Sequence, residues 1–298
     1  MKYWAVLLTV FNRKEKTLQC LSRLFDQLPV EDLQIDVFLT DDGCTDGTVE
    51  AVENLFPSVH ILEGSGDLFW NRGMLMAWKA AADARDYDAY LWLNDDTFLY
   101  EETLTSLQRA VKDTEGKAII VGATEDANHS KLTYGGRLRE GVIPISTGEL
   151  MPVDYFNGNI VLVPQFVFRQ LGYLDDYFTH SKGDYDYGLR AKKAGLQIYQ
   201  IGKVLGECDE HPTLDKWCNP AVPFLKRWNM LHRPNGMPPH ESFYFERRHY
   251  GFAVACFHYL TVHLRCMFPK LWIIVGKSRV TQSENQLEEQ VVACRNRT

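Results

Sequence analysis

Residues 90–98 read YLWLNDDTF, an apolar run that ends in the adjacent acids Asp95 and Asp96. The run from Tyr90 to Leu93 has the length and composition of a buried β-strand. Burying one unpaired carboxylate is costly, and two adjacent carboxylates repel each other. The stretch therefore predicts a strand end at which a positive group meets the two acids.

The chain around this stretch alternates between strand-like and helix-like segments from residue 3 to about residue 123. Periodicity predicts strands at 3–9, 35–40, 59–62, 89–93 and 118–123, with helices between them, including one at 73–85. Repeated β-α units of this length imply an α/β fold, with a mainly parallel central sheet flanked by helices. Ligands of such sheets bind beyond the carboxyl ends of the strands.

A second acidic pair, Asp41 and Asp42, follows the second predicted strand and so belongs to the same edge of the sheet. An ionised carboxylate only accepts hydrogen bonds, so Asp41 suits the imide N–H of uracil or thymine, or guanine. A turn followed by a helix cap would explain residues 43–48 without a ligand. Hard cations such as Mg²⁺ and Mn²⁺ take carboxylate oxygens and leave positions open for phosphates. We therefore expect a metal and a nucleotide at this edge.

Composition narrows the class of protein. The chain has 298 residues, 45% of them hydrophobic, and a net charge of −7, which argues against a general nucleic-acid-binding protein. Its seven cysteines form no C-x-x-C pair, which favours a reducing, cytoplasmic setting. The apolar run near the N-terminus has no cleavage site and is interpreted as a first strand, not a signal peptide. No P-loop sequence is present, and Asn94 stands where a haloacid-dehalogenase-type phosphatase has its nucleophilic acid.

The C-terminal part, residues 216–298, is aromatic and basic. Residues 224–280 carry nine Lys or Arg against two acids. This charge suggests an anionic partner, either a lipid surface or a phosphorylated acceptor, and a solvated helix face is the alternative. Residues 249–264 carry no Asp, Glu, Lys or Arg, but the run is shorter than a spanning helix. An interfacial amphipathic helix and an ordinary docked helix both remain open.

The first 190 or so residues resemble family-2 glycosyltransferases of the GT-A fold, among them bacterial cell-surface polysaccharide sugar transferases. The similarity is carried by residues 9–13, 41–48, 64–78, 94–96, 157–159 and 183–190. The resemblance implies an enzyme that transfers a sugar from a nucleotide diphosphate donor, UDP or dTDP, with Mn²⁺ or Mg²⁺. It also implies inversion at the anomeric carbon. Phe224 stands where processive synthases carry the Gln of their Q-x-x-R-W motif, so we expect transfer of a single sugar.

Roles are implied residue by residue. The resemblance implies donor binding by Thr9, Asn12, Arg13, Asp41, Asp42, Asn71, Arg72, Asn94 and Asp95, metal binding by Asp96 and His211, and acceptor contact by Trp70, Asn157 and Asp186. A surface or core position is the alternative for His211, and a core position is the alternative for Trp70. Asp184 matches the second residue of the family's acidic pair and is the expected catalytic base, while Gly183 replaces the usual first acid. A base on one side and a charge sink on the other are what attack at an anomeric carbon needs. An acid favoured by a helix dipole is the alternative for Asp184.

Two hypotheses follow for the whole chain. In the first, residues 1–215 form the GT-A-like catalytic domain, and residues 216–298 form a helical extension that contacts the acceptor or a membrane surface through 226–280. The acceptor is then a saccharide or a lipid-linked saccharide, and the enzyme works in the cytoplasm or at the inner face of its membrane. In the second, the chain is a non-catalytic nucleotide-sugar or saccharide-binding module with a degenerate site.

Overall fold

The computed structural model describes residues 1–139, 148–210 and 216–274. The chain divides into two compact units, residues 1–210 and 211–298. The first contains all the strands, and the second is helical within its described residues.

The first unit is an alternating α/β structure. Its strands are β1 (Lys2–Val10), β2 (Leu33–Asp41), β3 (Val59–Glu63), β4 (Ala89–Leu93), β5 (Phe98–Leu99), β6 (Ala118–Glu125), β7 (Gly136–Arg137), β8 (Leu150–Pro152), β9 (Tyr155–Phe156), β10 (Ile160–Pro164) and β11 (Gln197–Glu207). Its helices are α1 (Lys14–Phe25), α2 (Thr48–Leu55), α3 (Phe69–Ala84), α4 (Thr103–Asp113), α5 (Gln165–Leu171) and α6 (Gly183–Lys193).

The central sheet is mainly parallel, with one reversed strand in its middle. Its order is β3-β2-β1-β4-β10-β6-β11-β5, and β8 also pairs with β11. Strand β10 runs antiparallel to both neighbours, with Ile160 opposite Leu93. The start of β10 therefore lies beside the end of β4, and residues 157–159 reach the edge that carries the acidic pair.

Strand alternation divides the apolar core between the two faces of the sheet. Trp4, Val6 and Leu8 of β1 pack with helices α1, α2 and α4, whereas Ala5 and Leu7 pack with α3 and α6. This is the two-residue period expected of a strand that is covered on both faces. Helices on both faces leave the strand ends as the accessible part of the sheet.

Helix α3 begins at Phe69, four residues before the predicted start at Gly73. The carboxylate of Asp42 accepts the backbone N–H groups of Leu68 and Phe69 at 3.0 and 2.8 Å. The first turn is thus capped by a residue far away in the chain. Sequence rules look for a cap next to the helix and miss this one.

The described part of the second unit contains a short 3₁₀ helix (Lys216–Cys218) and helices α7 (Phe224–Leu231), α8 (Pro239–His249), α9 (Phe252–Met267) and α10 (Pro269–Ile274). Helices α8 and α9 are separated by a break at Gly251, which takes a positive φ of 98°. Arg227 is buried and donates to the carbonyl oxygen of Cys266 at 2.9 Å, which caps the end of α9.

Within the residues that the structure describes, none of the helices combines the length and apolarity that crossing a membrane requires.

Candidate active site

Asp95 and Asp96 lie directly beyond β4 and are both buried, at 5% and 8% exposure. The positive group that faces them is Arg13, at the start of α1. Its Nη1 atom is 3.2 Å from Asp95 Oδ1 and 2.7 Å from Asp96 Oδ2. Burial raises the pKa of Asp95 to about 7, with the guanidinium of Arg13 opposing this rise and the charge of Asp96 adding to it.

The donor set at this pair suits a hard divalent cation. Among the described residues, the buried Asp95 Oδ2 has no hydrogen-bond partner, and Asp96 Oδ1 accepts a weak hydrogen bond from the thiol of Cys208 at 3.8 Å. Across residues 1–139, 148–210 and 216–274, no three His, Cys, Asp or Glu side chains form a metal cage. Two carboxylates are nevertheless what Mg²⁺ or Mn²⁺ takes from a protein when substrate phosphates and water supply the rest. The other predicted metal ligand, His211, lies outside the described residues.

The neighbours Asp41 and Asp42 have different surroundings. Asp42 is buried and accepts four hydrogen bonds from three backbone N–H groups. The N–H groups of Gly66 and Phe69 each donate one at 2.8 Å, and the N–H of Leu68 is shared between the two carboxylate oxygens. It therefore holds residues 64–69 against the sheet. Asp41 is partly exposed and accepts one backbone N–H, from Cys44 at 2.8 Å. Of the two, Asp41 is the one with room for a ligand.

The remaining residues predicted at the donor lie around the ends of β1 and β2. Asn12 takes a positive φ of 51°, and its Oδ1 accepts the backbone N–H of Thr45 at 2.7 Å. Thr9 packs against α3 so closely that a Cβ at Gly73 would lie 2.2 Å from Thr9 Oγ1. Arg72 of α3 donates through Nε to the carbonyl oxygen of Asp176 at 3.0 Å.

Asp184 lies in the first turn of α6 and is held by backbone amides. Its Oδ1 accepts the N–H of Tyr185 at 2.8 Å, and its Oδ2 accepts the N–H of Gly158 at 3.0 Å. Burial raises the pKa of Asp184 to about 6, although these two hydrogen bonds and the charge of Arg137 lower it. A carboxylate with a raised pKa and a fixed orientation is suited to accept a proton near neutral pH.

Asp186, two residues along the same helix, is in a different environment. It is fully buried and forms an ion pair with Arg190 Nε at 2.8 Å. A buried acid that is paired in this way supports the local structure. Of the two acids in the 183–190 motif, the geometry favours Asp184 as the one that meets a substrate.

One indole ring connects the acidic pair to Asp184. The Nε1 atom of Trp70 donates to Asn94 Oδ1 at 2.7 Å. The six-membered part of the same indole packs on Gly158, where an added Cβ would lie 2.4 Å from Trp70 Cζ2. Asn94 accepts this hydrogen bond without adding a third negative charge beside two buried acids. Its amide thus accounts for the absence of an acid at this position.

Asn71 and Gly183 share another buried contact. The amide nitrogen of Asn71 donates to the carbonyl oxygens of Asp175 at 2.8 Å and Phe178 at 2.7 Å. Its Oδ1 atom points at Gly183, where an added Cβ would lie 1.7 Å away. A side chain at position 183 would collide with this amide, which accounts for the missing first acid of the predicted pair. Asn71 holds the segment before α6 in place.

A polar and aromatic cluster lies next to Asp184, around its neighbour Tyr185. Asn157, predicted at the acceptor, accepts from Arg137 Nε at 2.8 Å and donates to the Tyr185 hydroxyl at 3.3 Å. Tyr185 packs edge-on against Tyr155, with ring centroids 4.9 Å apart. Sequence reasoning did not single out Arg137, Tyr185 or Cys208. Only the adjacency of Tyr185 to Asp184 could have indicated one of them.

A family model and a curated relative match the sequence of this chain. The family model described as glycosyl transferase family 2 matches residues 5–177. The low-salt glycan biosynthesis hexosyltransferase Agl10 of Haloferax volcanii is 24% identical over 150 residues, which are 48% of this chain and 49% of that protein. The chain thus matches about half the length of this curated relative.

Solved structures share the fold at low sequence identity. S. aureus TarS 1–349 in complex with UDP-GlcNAc is 14% identical, with a TM-score of 0.55 over 96% of this chain and 92% of that one. The mannosyltransferase PcManGT from Pyrobaculum calidifontis, in complex with GDP-Man and Mn²⁺, is 13% identical, with a TM-score of 0.55 over 98% and 85%. The expected GT-A-like sheet flanked by helices is confirmed.

Proposed function

Because the chain belongs to glycosyl transferase family 2, we propose that it transfers a single hexose from a nucleotide diphosphate sugar to a saccharide hydroxyl, with inversion and with a divalent cation. The observation that carries the proposal is Asp184, a carboxylate oriented by two amides and linked through Gly158, Trp70 and Asn94 to the acidic pair. A base and a nucleotide-binding edge in one site are what this reaction needs.

The donor nucleotide is proposed to lie along the carboxyl ends of β1, β2 and β4. Asp41 would accept the imide N–H of uracil or thymine, the reason for proposing UDP or dTDP, and Thr9 and Asn12 would line the pocket. Asp95 would accept from a ribose hydroxyl. The donor in the TarS structure is UDP-GlcNAc and that in the PcManGT structure is GDP-Man, so guanine belongs in the test.

Asp96 and the unpartnered Oδ2 of Asp95 are proposed to hold the cation. A bound Mn²⁺ or Mg²⁺ supplies positive charge for the leaving diphosphate. Arg13 and Arg72 lie on the donor side of the site and are proposed to contact the phosphates. Asp42 is proposed to act indirectly, by holding residues 64–69 in the conformation that the donor meets.

Asp184 is proposed to take the proton of the acceptor hydroxyl. The hydroxyl oxygen then forms a bond to the anomeric carbon, while the bond from that carbon to the diphosphate oxygen breaks and its electron pair leaves with the nucleotide. Attack opposite to the leaving group inverts the anomeric carbon. Asn157 and the exposed side of the Trp70 ring are proposed to position the acceptor sugar.

The helical unit is proposed to contact an anionic membrane surface, such as the inner face of the cytoplasmic membrane, and a lipid-linked acceptor there. Helices α9 and α10 expose apolar side chains at helical spacing: Phe257, Leu260, Leu264, Phe268 and Leu271. Both acids of residues 216–274 are largely buried, with Glu241 and Glu246 side chains at 3% and 15% exposure. Exposed apolar and basic groups without exposed acids suit an interface rich in anionic lipid.

The test is a screen of UDP-, dTDP- and GDP-sugars for Mn²⁺-dependent release of nucleotide, with and without saccharide acceptors. We expect turnover by the wild-type chain and at least a hundred-fold loss in Asp184→Asn with donor affinity retained. Asp113→Asn, an exposed acid on α4, is the matched control. Donor binding without turnover on any acceptor would instead identify a binding module. Full activity in Asp184→Asn would show that Asp184 is not the catalytic base.

A further inference from the structure

Arg13 contacts the acidic pair through a single atom. Nη1 alone lies 3.2 Å from Asp95 Oδ1 and 2.7 Å from Asp96 Oδ2. Among the described residues, neither Nε nor Nη2 of Arg13 donates to a protein acceptor. The guanidinium therefore bridges two acids and still has donors to offer to another anion.

The side chain of Arg13 can change partners while its backbone stays fixed. Its carbonyl oxygen accepts the backbone N–H of Thr17 at 2.9 Å and the Thr17 hydroxyl at 3.0 Å, which ties it to α1. The preceding Asn12 is held by Thr45. The side chain is 40% exposed, whereas the two carboxylates are 8% and 9% exposed. Of the three side chains in these two ion pairs, that of Arg13 is therefore the one with room to move.

The charges of Asp95, Asp96 and Arg13 do not sum to zero. When both buried carboxylates are ionised they carry two negative charges, and Arg13 is the described cation that contacts them, while Lys16 acts on Asp95 without a direct contact. A divalent cation that binds beside Arg13 changes this deficit into an excess of one positive charge. A nucleoside diphosphate then removes that excess, and the unused Nε and Nη2 donors of Arg13 can contact its phosphates.

We propose that Arg13 makes cation binding at Asp95 and Asp96 depend on the nucleotide. In the ligand-free site, Arg13 occupies the carboxylates and repels the cation. When a nucleoside diphosphate is present, the guanidinium turns to the phosphates, and the cation binds to oxygens that include the unpartnered Asp95 Oδ2. The inference rests on the proposed function in one respect, that the anion is a nucleoside diphosphate. Arg13 acts here as a positioning residue.

This coupling has a measurable form. If the nucleotide raises the affinity for the cation by some factor, the cation raises the affinity for the nucleotide by the same factor. Removing the charge of Arg13 should therefore tighten binding of the cation alone and reduce that shared factor. A residue that only stabilised the fold would not shift these two quantities in opposite directions.

The experiment measures Mn²⁺ binding by titration calorimetry, without nucleotide and with saturating UDP or GDP, on the full-length chain. In Arg13→Gln we expect Mn²⁺ alone to bind on the order of ten-fold more tightly than in the wild type, and the coupling factor to fall by about as much. Arg13→Lys retains the charge, so Mn²⁺ alone should bind to it with an affinity close to that of the wild type. Arg23→Gln removes an exposed charge from the same helix and is the matched control.

Two results would overturn the inference. One is Mn²⁺ affinity that is unchanged or weaker in Arg13→Gln, and the other is Mn²⁺ affinity that survives Asp96→Asn, because the cation would then bind elsewhere. Neither result depends on turnover. A wild-type chain that binds Mn²⁺ and nucleotide together but transfers no sugar fails the proposed function alone.

Discussion

The Oδ1 atom of Asn71 occupies the space in which a side chain at Gly183 would begin, only 1.7 Å from the position of an added Cβ. Asn71 belongs to α3 and Gly183 to α6, so this pair of residues joins α3 to the helix that carries Asp184. The amide of Asn71 also holds the carbonyl oxygens of Asp175 and Phe178. This contact sets the position of the candidate base.

The first prediction concerns this pair. Gly183→Ala should lower the free energy of unfolding by about 2 kcal/mol, because the collision outweighs the roughly 1 kcal/mol by which alanine is favoured over glycine in a helix. In an Asn71→Ala background the same substitution should be neutral or stabilising. Urea unfolding of the four chains measures this as a double-mutant cycle. A stabilising Gly183→Ala in the wild-type background would show that the contact is absent.

The second prediction concerns pH. A base must be deprotonated, and burial raises the pKa of Asp184 to about 6. At saturating Mn²⁺, kcat/KM should therefore rise with pH, pass its midpoint near pH 6 and level off above it. An ordinary aspartate would place the midpoint near pH 4. The measurement is a series of initial rates between pH 4.5 and 8, and a flat profile over this range would contradict the assignment.

The third prediction separates Asp42 from its neighbour. Asp42→Asn should lower the free energy of unfolding by about 2 kcal/mol, because four backbone hydrogen bonds lose a charged acceptor and the new amide group opposes one or more N–H donors. Asp41→Asn changes one such bond and should have less than half that effect on stability. The main effect of Asp41→Asn should be weaker binding of the nucleotide. Thermal unfolding and nucleotide titration on both variants provide the comparison, and equal stability losses would count against it.

The fourth prediction concerns Asn94. Asn94→Asp retains an acceptor for Trp70 but places a third carboxylate beside Asp95 and Asp96. We expect a loss of about 1 kcal/mol in stability without metal, largely restored by millimolar Mn²⁺. Thermal unfolding with and without MnCl₂ measures both effects. Asn54→Asp, exposed on α2, should show no restoration by Mn²⁺.

The fifth prediction concerns the exposed face of α9. Leu260→Glu should weaken sedimentation with phosphatidylglycerol vesicles about ten-fold, because an apolar contact is lost and a negative charge is added. Leu55→Glu is the matched control, since Leu55 has the same 63% exposure but lies on α2. Phosphatidylcholine vesicles should bind neither variant nor the wild type strongly. Equal binding by Leu260→Glu and the wild type would exclude this face as the contact.

Much of the fold could be predicted because it depends on short-range periodicity. The strand at 89–93 was predicted residue for residue, and the other early strands to within two residues at each end. The reversed direction of β10 could not be predicted, since strand direction depends on partners far away in the chain. The start of α3 was missed for the same reason, because its cap is Asp42.

The candidate site was predictable where a motif lies at a strand end. Asp41, Asp95 and Asp96 lie at the predicted edge, and Arg13 is the positive group that two buried acids require. The link from Asn94 through Trp70 to Gly158 was not predictable, because it depends on the side-chain contacts of three separate elements. For the same reason, the collision that excludes an acid at position 183 is visible only in three dimensions.

The position of the reversed strand β10 also separates residues proposed for the acceptor from those proposed for the donor. Between the end of β6 and the start of β10, the described residues 126–139 and 148–159 carry the short strands β7, β8 and β9, of which β8 pairs with β11 of the central sheet. This segment carries Arg137, Tyr155 and Asn157, whereas the residues proposed for the donor come from segments outside it. We expect the part of this segment that precedes Gly158 to set the acceptor that is used. A chimera with a relative's residues in that part should change the sugar that is modified and leave the nucleotide preference intact.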